Sequence, residues 1–229
     1  MGKKQAIMYT DGACDGNPGP GGIGVVLESN GKRKEFSQGY RLTTNNRMEI
    51  LAVILGLEMI KEPSQVTIYS DSKYVVDAIT KGWVRNWASM EWIRKGGKRV
   101  PNADLWKRLL PLVGEMDVTF KWVKGHAGDP GNERADQLSY AAINKPKLLE
   151  DEGYLRQLEL EELSPSKITK EGQPCRKCGT PVVKKVPKRK LKPGQTYYYE
   201  YYLQCPECNA NYMVEEAKRS IDQKSLFDL

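Results

Sequence analysis

Two short cysteine pairs set the strictest condition on how this chain can fold. Cys175-Arg176-Lys177-Cys178 and Cys205-Pro206-Glu207-Cys208 are C-x2-C pairs separated by 26 residues. If they share an ion, the chain between them must turn back on itself. Gly179 follows Cys178 and Asn209 follows Cys208, both residues that tolerate the tight turn such a pair needs. Four thiolates in a tetrahedron suit one structural Zn²⁺ and leave no position for water; iron is the minor alternative. The fifth cysteine, Cys14, lies far away in sequence. Five cysteines in a chain with no sign of secretion fit metal ligation better than a disulfide framework.

The cysteine segment has too few apolar residues for a large core, so its folding depends on the ion. It therefore divides the chain into residues 1–145, an acidic, partly helical linker over 146–170, and a four-cysteine domain over 171–229. Leu155, Leu158 and Leu163 can form one face of the linker's helix. The outer segments are basic, with 21 Lys/Arg against 16 Asp/Glu and 11 against 7, while the linker has 4 against 6. A net charge of +7 suits a polyanionic partner. Lys3 and Lys4 lead directly into Ile7 and Met8, too short an apolar run for a leader or a membrane anchor. The expectation is a cytoplasmic monomer without membrane contact.

The first 145 residues alternate strand and helix signals. Ala6–Thr10 reads as a strand ending at Asp11, before the glycine- and proline-rich run Gly12–Gly22. Gly24–Leu27 and Lys34–Tyr40 follow, joined by Asn30-Gly31, the favoured hairpin dipeptide. Thr43, Thr44 and Asn45 offer helix caps, and Met48, Leu51, Ala52, Leu55 and Met59 recur as one buried helix face. Val66–Ser70 is a β-rich run ending at Asp71, with a helix over Ser72–Thr80. A tryptophan- and cation-rich stretch runs from Trp83 to Trp106, and a helix near Asn102–Leu112 precedes the strand Val118–Val123. Asp129 and Pro130 mark the start of a last helix. The order β-β-β-α-β-α-α-β-α indicates an α/β fold with a mixed sheet flanked by helices.

Asp11 and Asp71 end predicted strands, Glu49 lies in the first turns of a helix, and Asp136 lies in the last helix. If the two strands are neighbours, four carboxylates can meet in one cleft. Two Mg²⁺ ions roughly 4 Å apart could then activate water and stabilise charge on a phosphodiester. Without cations, such carboxylates would raise one another's pKa. His126, the only histidine, sits between Gly125 and Ala127 and can pass a proton near the leaving group.

Five segments, Tyr9–Gly19, Thr43–Glu49, Tyr69–Ser72, Val123–Gly128 and Asn132–Asp136, resemble type 1 ribonuclease H in order and spacing. The resemblance implies a five-stranded mixed sheet of order 3-2-1-4-5 and hydrolysis of the RNA strand of RNA–DNA hybrids. It also implies two Mg²⁺ or Mn²⁺ ions on Asp11, Glu49, Asp71 and Asp136, 5′-phosphate and 3′-hydroxyl products, and His126 as an auxiliary residue. Gly12, Cys14 and Asn46 match positions that contact RNA, where a 2′-OH can be read. Asn17 and Thr44 match positions that engage the DNA strand. Lys73 stands where close relatives often carry glutamine and could contact phosphate. The Trp83–Trp106 stretch resembles the basic protrusion of long-form enzymes. There Trp83 would face DNA sugars, Arg85 and Lys98 would bind phosphate, and the other tryptophans would pack between helices.

The four-cysteine segment resembles a zinc ribbon. Between its cysteine pairs lie Lys184, Lys185, Lys188, Arg189, Lys190 and Lys192, then a strand-like run Thr196–Leu203 with five tyrosines. The tyrosines could stack on bases or cover the ion. The ribbon could thus add a nucleic-acid contact, recruit a protein, or serve stability alone. Two alternatives to hybrid hydrolysis remain: a noncatalytic hybrid-binding module, and a DNA-acting nuclease or resolvase on the same fold.

Overall fold

The structure is a computed structural model that describes residues 3–94, 99–163, 168–187 and 195–221. The chain forms two compact units, residues 1–157 and 158–229. Among the described residues, no helix is long and apolar enough to cross a membrane.

In the first unit a three-stranded meander comes first: β1 Lys4–Cys14, β2 Gly19–Ser29 and β3 Lys32–Thr43. Asn30 and Gly31 both take positive φ, as the expected hairpin turn requires. Helix α1, Asn45–Glu58, leads to β4, Ser64–Ser70. Three helices follow, α2 Lys73–Thr80, α3 Trp83–Ser89 and α4 Ala103–Glu115. Strand β5, Asp117–Trp122, and helix α5, Pro130–Ile143, complete the element order. The sheet order is β3-β2-β1-β4-β5, with β1–β2 and β2–β3 antiparallel and β1–β4 and β4–β5 parallel. This is the mixed sheet and strand order expected from the resemblance. Helix α3 is additional to the predicted elements; Val84 is its buried anchor.

Helix α1 differs from the one-faced helix that its spacing suggests. Ile50, Val53 and Ile54 are buried as fully as Met48 and Ala52, whereas Leu55 and Met59 are only partly buried. Helix α4 covers the side of α1 away from the sheet, so apolar residues are favoured almost all round. On the other side of the sheet, α5 settles directly on backbone. A Cβ on Gly24 would stand 1.9 Å from the Ala135 carbonyl oxygen, and one on Gly22 2.2 Å from that of Ser139. Only glycine in these strand positions lets α5 approach so closely.

Residues beyond α5 also belong to the first unit. Arg41 N–H donates to the Leu149 carbonyl and Leu149 N–H to that of Gly39, each at 2.9 Å. Asp151 caps α6, Glu152–Leu163, through Tyr154 N–H. It also joins Asp104 in clamping the buried Arg47 guanidinium, with four N–O contacts between 2.7 and 2.9 Å.

The second unit contains a three-stranded sheet, β6 Val183–Lys185, β8 Tyr202–Gln204 and β9 Asn211–Met213, in the order β6-β8-β9. A separate ribbon pairs β7, Tyr197–Tyr199, with β10, Lys218–Ser220. The single tyrosine-rich strand expected over Thr196–Leu203 is therefore two strands. The chain bends at Glu200, so that β7 and β8 serve different sheets. Ile168, Val182, Leu203, Ala210, Val214 and Ala217 form its small core with Cys175 and Cys205.

Candidate active site and cysteine cluster

Asp11 and Asp71 lie where two parallel strands part. The last β1–β4 pair is Tyr9 with Tyr69, whose rings stack at 5.1 Å. The aspartates occupy equivalent positions two residues beyond it. Asp71 follows the end of β4, as expected, but Asp11 lies inside β1. The glycine-rich segment Gly19–Gly22 is itself strand and pairs β1 as far as Cys14 with Gly21. Only the β4-facing edge of β1 therefore opens at the acids.

Two helices bring the other carboxylates. A Cβ on Gly12 would meet Glu49 N at 2.3 Å, so the missing side chain lets the start of α1 sit on β1. The close seat of α5 on Gly22 and Gly24 brings Asp136 and Ser139 to Asp11, and the Ser139 hydroxyl donates to Asp11 Oδ2. Glu49 accepts from Ser72 Oγ at 2.5 Å and from Asn45 Nδ2 at 3.1 Å. Asp71 accepts from the buried Asn132 Nδ2 at 3.3 Å, and its backbone carbonyl from Trp122 Nε1 at 2.9 Å.

The electrostatics record this convergence. Burial, together with the Asp71 and Asp136 carboxylates, pushes Asp11 up to about 6 against hydrogen bonds from Ser139 and Gly12. Burial, together with Asp11 and Asp71, pushes Glu49 up to about 7 against Ser72 and Asn45. The principal opposing groups are neutral donors rather than lysine or arginine. A cluster of hard oxygen donors whose charge is left uncompensated is the donor set that Mg²⁺ or Mn²⁺ takes. Among the described residues, no three of these carboxylates bring ligand oxygens mutually within 4.8 Å. The cluster is thus wider than a one-ion cage.

The RNase H family model matches residues 3–144. The chain belongs to the ribonuclease H family. Among its relatives is a ribonuclease H of Desulforamulus reducens, 57% identical over 145 residues, covering 63% of this chain and 91% of that protein. Another, from Syntrophus aciditrophicus, is 57% identical over 152 residues, covering 66% and 88%. Among solved structures, LC9-RNase H1, described as a type 1 RNase H with the type 2 active-site motif, is 33% identical with a TM-score of 0.58. That match covers 69% of this chain and 82% of the other.

Five donors of this ribonuclease H unit escaped the sequence reading: Asn45, Ser72, Asn132, Ser139 and Trp122. Asn132 and Ser139 lie one helical turn on either side of Asp136, so the i−4 and i+3 spacing from a suspected acid was the available signal. Asn45 stands at the same i−4 spacing from Glu49, whereas Ser72 and Trp122 carried no such signal, because their partners lie on other elements of the fold. His126 is exposed at positive φ on the loop after β5. That loop passes over Asp71, since a Cβ on Gly125 would stand 2.8 Å from Asp71 Oδ2.

The expected substrate positions occupy several surfaces of this unit. Asn17 and Asn46 are open to solvent in whole or in part, and Asn17 Oδ1 accepts from Asn45 N–H at 3.2 Å, tying the 15–18 turn to the start of α1. Thr44 is the N-cap of α1 but makes no side-chain cap bond. Cys14 is half-buried beside the Gly19 and Thr43 carbonyls, and burial pushes its thiol up. Lys73 is exposed, with Nζ 4.7 Å from the centre of the Trp122 ring. Trp83 and Arg85 lie on α3, with Trp83 exposed, whereas Trp106 is fully buried against Tyr74 and Trp87. Lys98 lies outside the described residues.

The four cysteines of the second unit converge, with ligand sulfurs all within 4.8 Å of one another. Cys175 and Cys208 sulfurs are 3.5 Å apart and those of Cys178 and Cys205 3.3 Å. These exceed a disulfide bond of about 2.05 Å and approach the roughly 3.8 Å edge of a zinc tetrahedron built from four sulfurs. Gly179 and Asn209 take positive φ and close the two turns onto the Cys175 and Cys205 carbonyls. Burial raises the Cys175 thiol, but hydrogen bonds from the Tyr212 hydroxyl and the Lys177 amide outweigh it and lower its pKa, which favours the ligating thiolate.

Proposed function

We propose that this chain is a type 1 ribonuclease H that hydrolyses the RNA strand of RNA–DNA hybrids, leaving 5′-phosphate and 3′-hydroxyl ends. The observation that carries this reading is the shared register of Asp11 and Asp71 beyond the last β1–β4 pair, with Glu49 and Asp136 in the same electrostatic field. Asp11, Glu49, Asp71 and Asp136 hold two Mg²⁺ or Mn²⁺ ions. When bound, these ions supply an activated water and neutralise charge on the phosphoryl oxygens.

The chain's own groups prepare the ligands. Ser139 aims Asp11, Ser72 and Asn45 aim Glu49, and Asn132 with Trp122 fixes Asp71. Such supporting hydrogen bonds orient carboxylates before any ion arrives. His126, on the loop over Asp71, moves a proton at the leaving oxygen and accelerates turnover without holding the ions.

Gly12, Cys14 and Asn46 read the RNA sugar edge, and Asn17 and Thr44 engage the DNA strand. The close approach of β1 to α1 at Gly12 and the Asn17–Asn45 tie support this division. Lys73 contacts phosphate, and Trp83, Arg85 and Lys98 extend the grip as a basic protrusion. We assign residues 1–145 to the catalytic domain, 146–170 to a joining segment and 171–229 to a ribbon closed by one Zn²⁺ on Cys175, Cys178, Cys205 and Cys208.

Uniformly labelled RNA–DNA hybrid, duplex DNA and duplex RNA offered in parallel test the reading. Cleavage confined to the RNA of the hybrid is expected. Asp11→Asn and Asp71→Asn should each lose at least about a hundredfold in rate, the scale of removing a group that stabilises developing charge, while hybrid binding persists. Undiminished cleavage by either variant would remove that residue from the ion site.

A further inference from the structure

The second unit presents a sheet face that neither the cysteine cluster nor its core uses. In β6-β8-β9 the cross-strand rows are Val183–Gln204–Asn211, Lys184–Leu203–Tyr212 and Lys185–Tyr202–Met213. The middle row looks inward: Leu203 is buried and the Tyr212 hydroxyl reaches the Cys175 sulfur at 3.1 Å. Alternation then puts the other two rows on the opposite face. That face carries Tyr202 between Lys185 and Met213, with Met213 60% exposed and Lys185 exposed. Beside this row, Gln204 Nε2 donates to Asn211 Oδ1 at 3.0 Å, so the pair presents an amide acceptor and an amide donor side by side.

We infer that this face binds single-stranded nucleic acid, two or three nucleotides at a time. Six side chains contribute to it and none is acidic. Glu200 and Glu215 are instead engaged by Arg219 and Lys218 at the other strand pair. The excess of 11 Lys/Arg over 7 Asp/Glu in residues 171–229 favours a polyanion over an acid-poor protein surface. Three strands roughly 4.8 Å apart and three residues long span about 10 Å each way, the size of a few stacked bases. The ring and the thioether need an exposed base face, and the amide pair can meet a base edge. A duplex hides base faces and would offer only phosphate to a single lysine, so unpaired strands fit better. The inference adds to the hydrolytic reading a grip on single strands that flank a hybrid.

Fluorescence anisotropy of full-length, zinc-loaded protein with oligo-dT and oligo-U of about fifteen nucleotides, in Mg²⁺-free buffer, tests it. Wild type should bind at least one, and the ratio between them tells DNA from RNA. Tyr202→Ala should weaken binding about 5- to 100-fold, the worth of one base–aromatic stack. Tyr202→Phe should retain binding, because stacking needs the ring and not the hydroxyl. Lys185→Glu should weaken binding and flatten its salt dependence by about one unit of slope. Zinc content of one per chain certifies each variant's fold. Wild type binding neither oligonucleotide, or zinc-replete Tyr202→Ala binding as wild type does, would overturn the inference. Absent hybrid cleavage with intact oligonucleotide binding would sink the hydrolytic reading and leave this one standing.

Discussion

Residues 1–157 bury most of a helix between a five-stranded sheet and a second layer of helices, whereas residues 158–229 gather a handful of apolar side chains around four sulfurs. The first unit concentrates carboxylates in its cleft after its core is already complete, so the ions proposed there serve chemistry. The second unit has little core besides the four cysteines, so the ion proposed there serves folding. Arg47 expresses the same contrast. In the first unit a buried charge is neutralised by the chain's own Asp104 and Asp151. On the proposed reading, one chain carries two metal-binding designs, one resting on a preformed scaffold and one that is itself the scaffold.

Chelation should separate the units most sharply. A strong chelator is expected to unfold residues 171–221 while the first unit keeps its dispersed amide resonances, since structural zinc contributes about 10–16 kcal/mol. Loss of both sets of resonances together, or of neither, would break the contrast. Arg47→Ala comes next, with an expected loss of about 3–5 kcal/mol from the uncompensated buried Asp151 carboxylate. Denaturant melting should report it in the first unit alone, with zinc content unchanged.

The smallest effect concerns pH. Asp11 and Glu49 titrate near 6 and 7 in the folded chain, against about 4 in an unfolded one. Between these values the folded state holds more protons than the unfolded state. Their contribution to stability is therefore complete below about pH 4 and is lost as pH rises through 6 and 7. Cations bind the deprotonated acids, so Mg²⁺ should raise the melting temperature little at pH 5 and most at pH 8. The gain there is about 1.4 kcal/mol when Mg²⁺ is at ten times its Kd. An equal Mg²⁺ shift at both pH values would mean that ions bind elsewhere.

The cysteine pairs, the Asn30-Gly31 hairpin, the Ser72 and Asp129 helix starts and the strand preceding Asp71 were all legible locally. The extent of β1 was not. Glycine-rich Gly19–Gly22 reads as turn, yet pairing to β1 and the need for a bare surface under α5 make it strand. The two-sided burial of α1 was equally hidden, because it depends on α4 arriving from fifty residues away. The tyrosine run shows the opposite error: continuous β propensity suggested one strand, and competition between two partner sheets split it.

By itself, the sequence determined which residues could ligate, because ligand chemistry belongs to side-chain type and the spacing of each C-x2-C pair is local. It also determined most helices and strands, whose period is a property of a few consecutive residues. Tertiary structure decided where the acids stand relative to one another. A strand register, two backbone-to-backbone approaches at Gly12 and Gly24, and one loop crossing at Gly125 fix that arrangement. Each joins residues far apart in the chain, and the energy of such contacts exists only once the chain has folded.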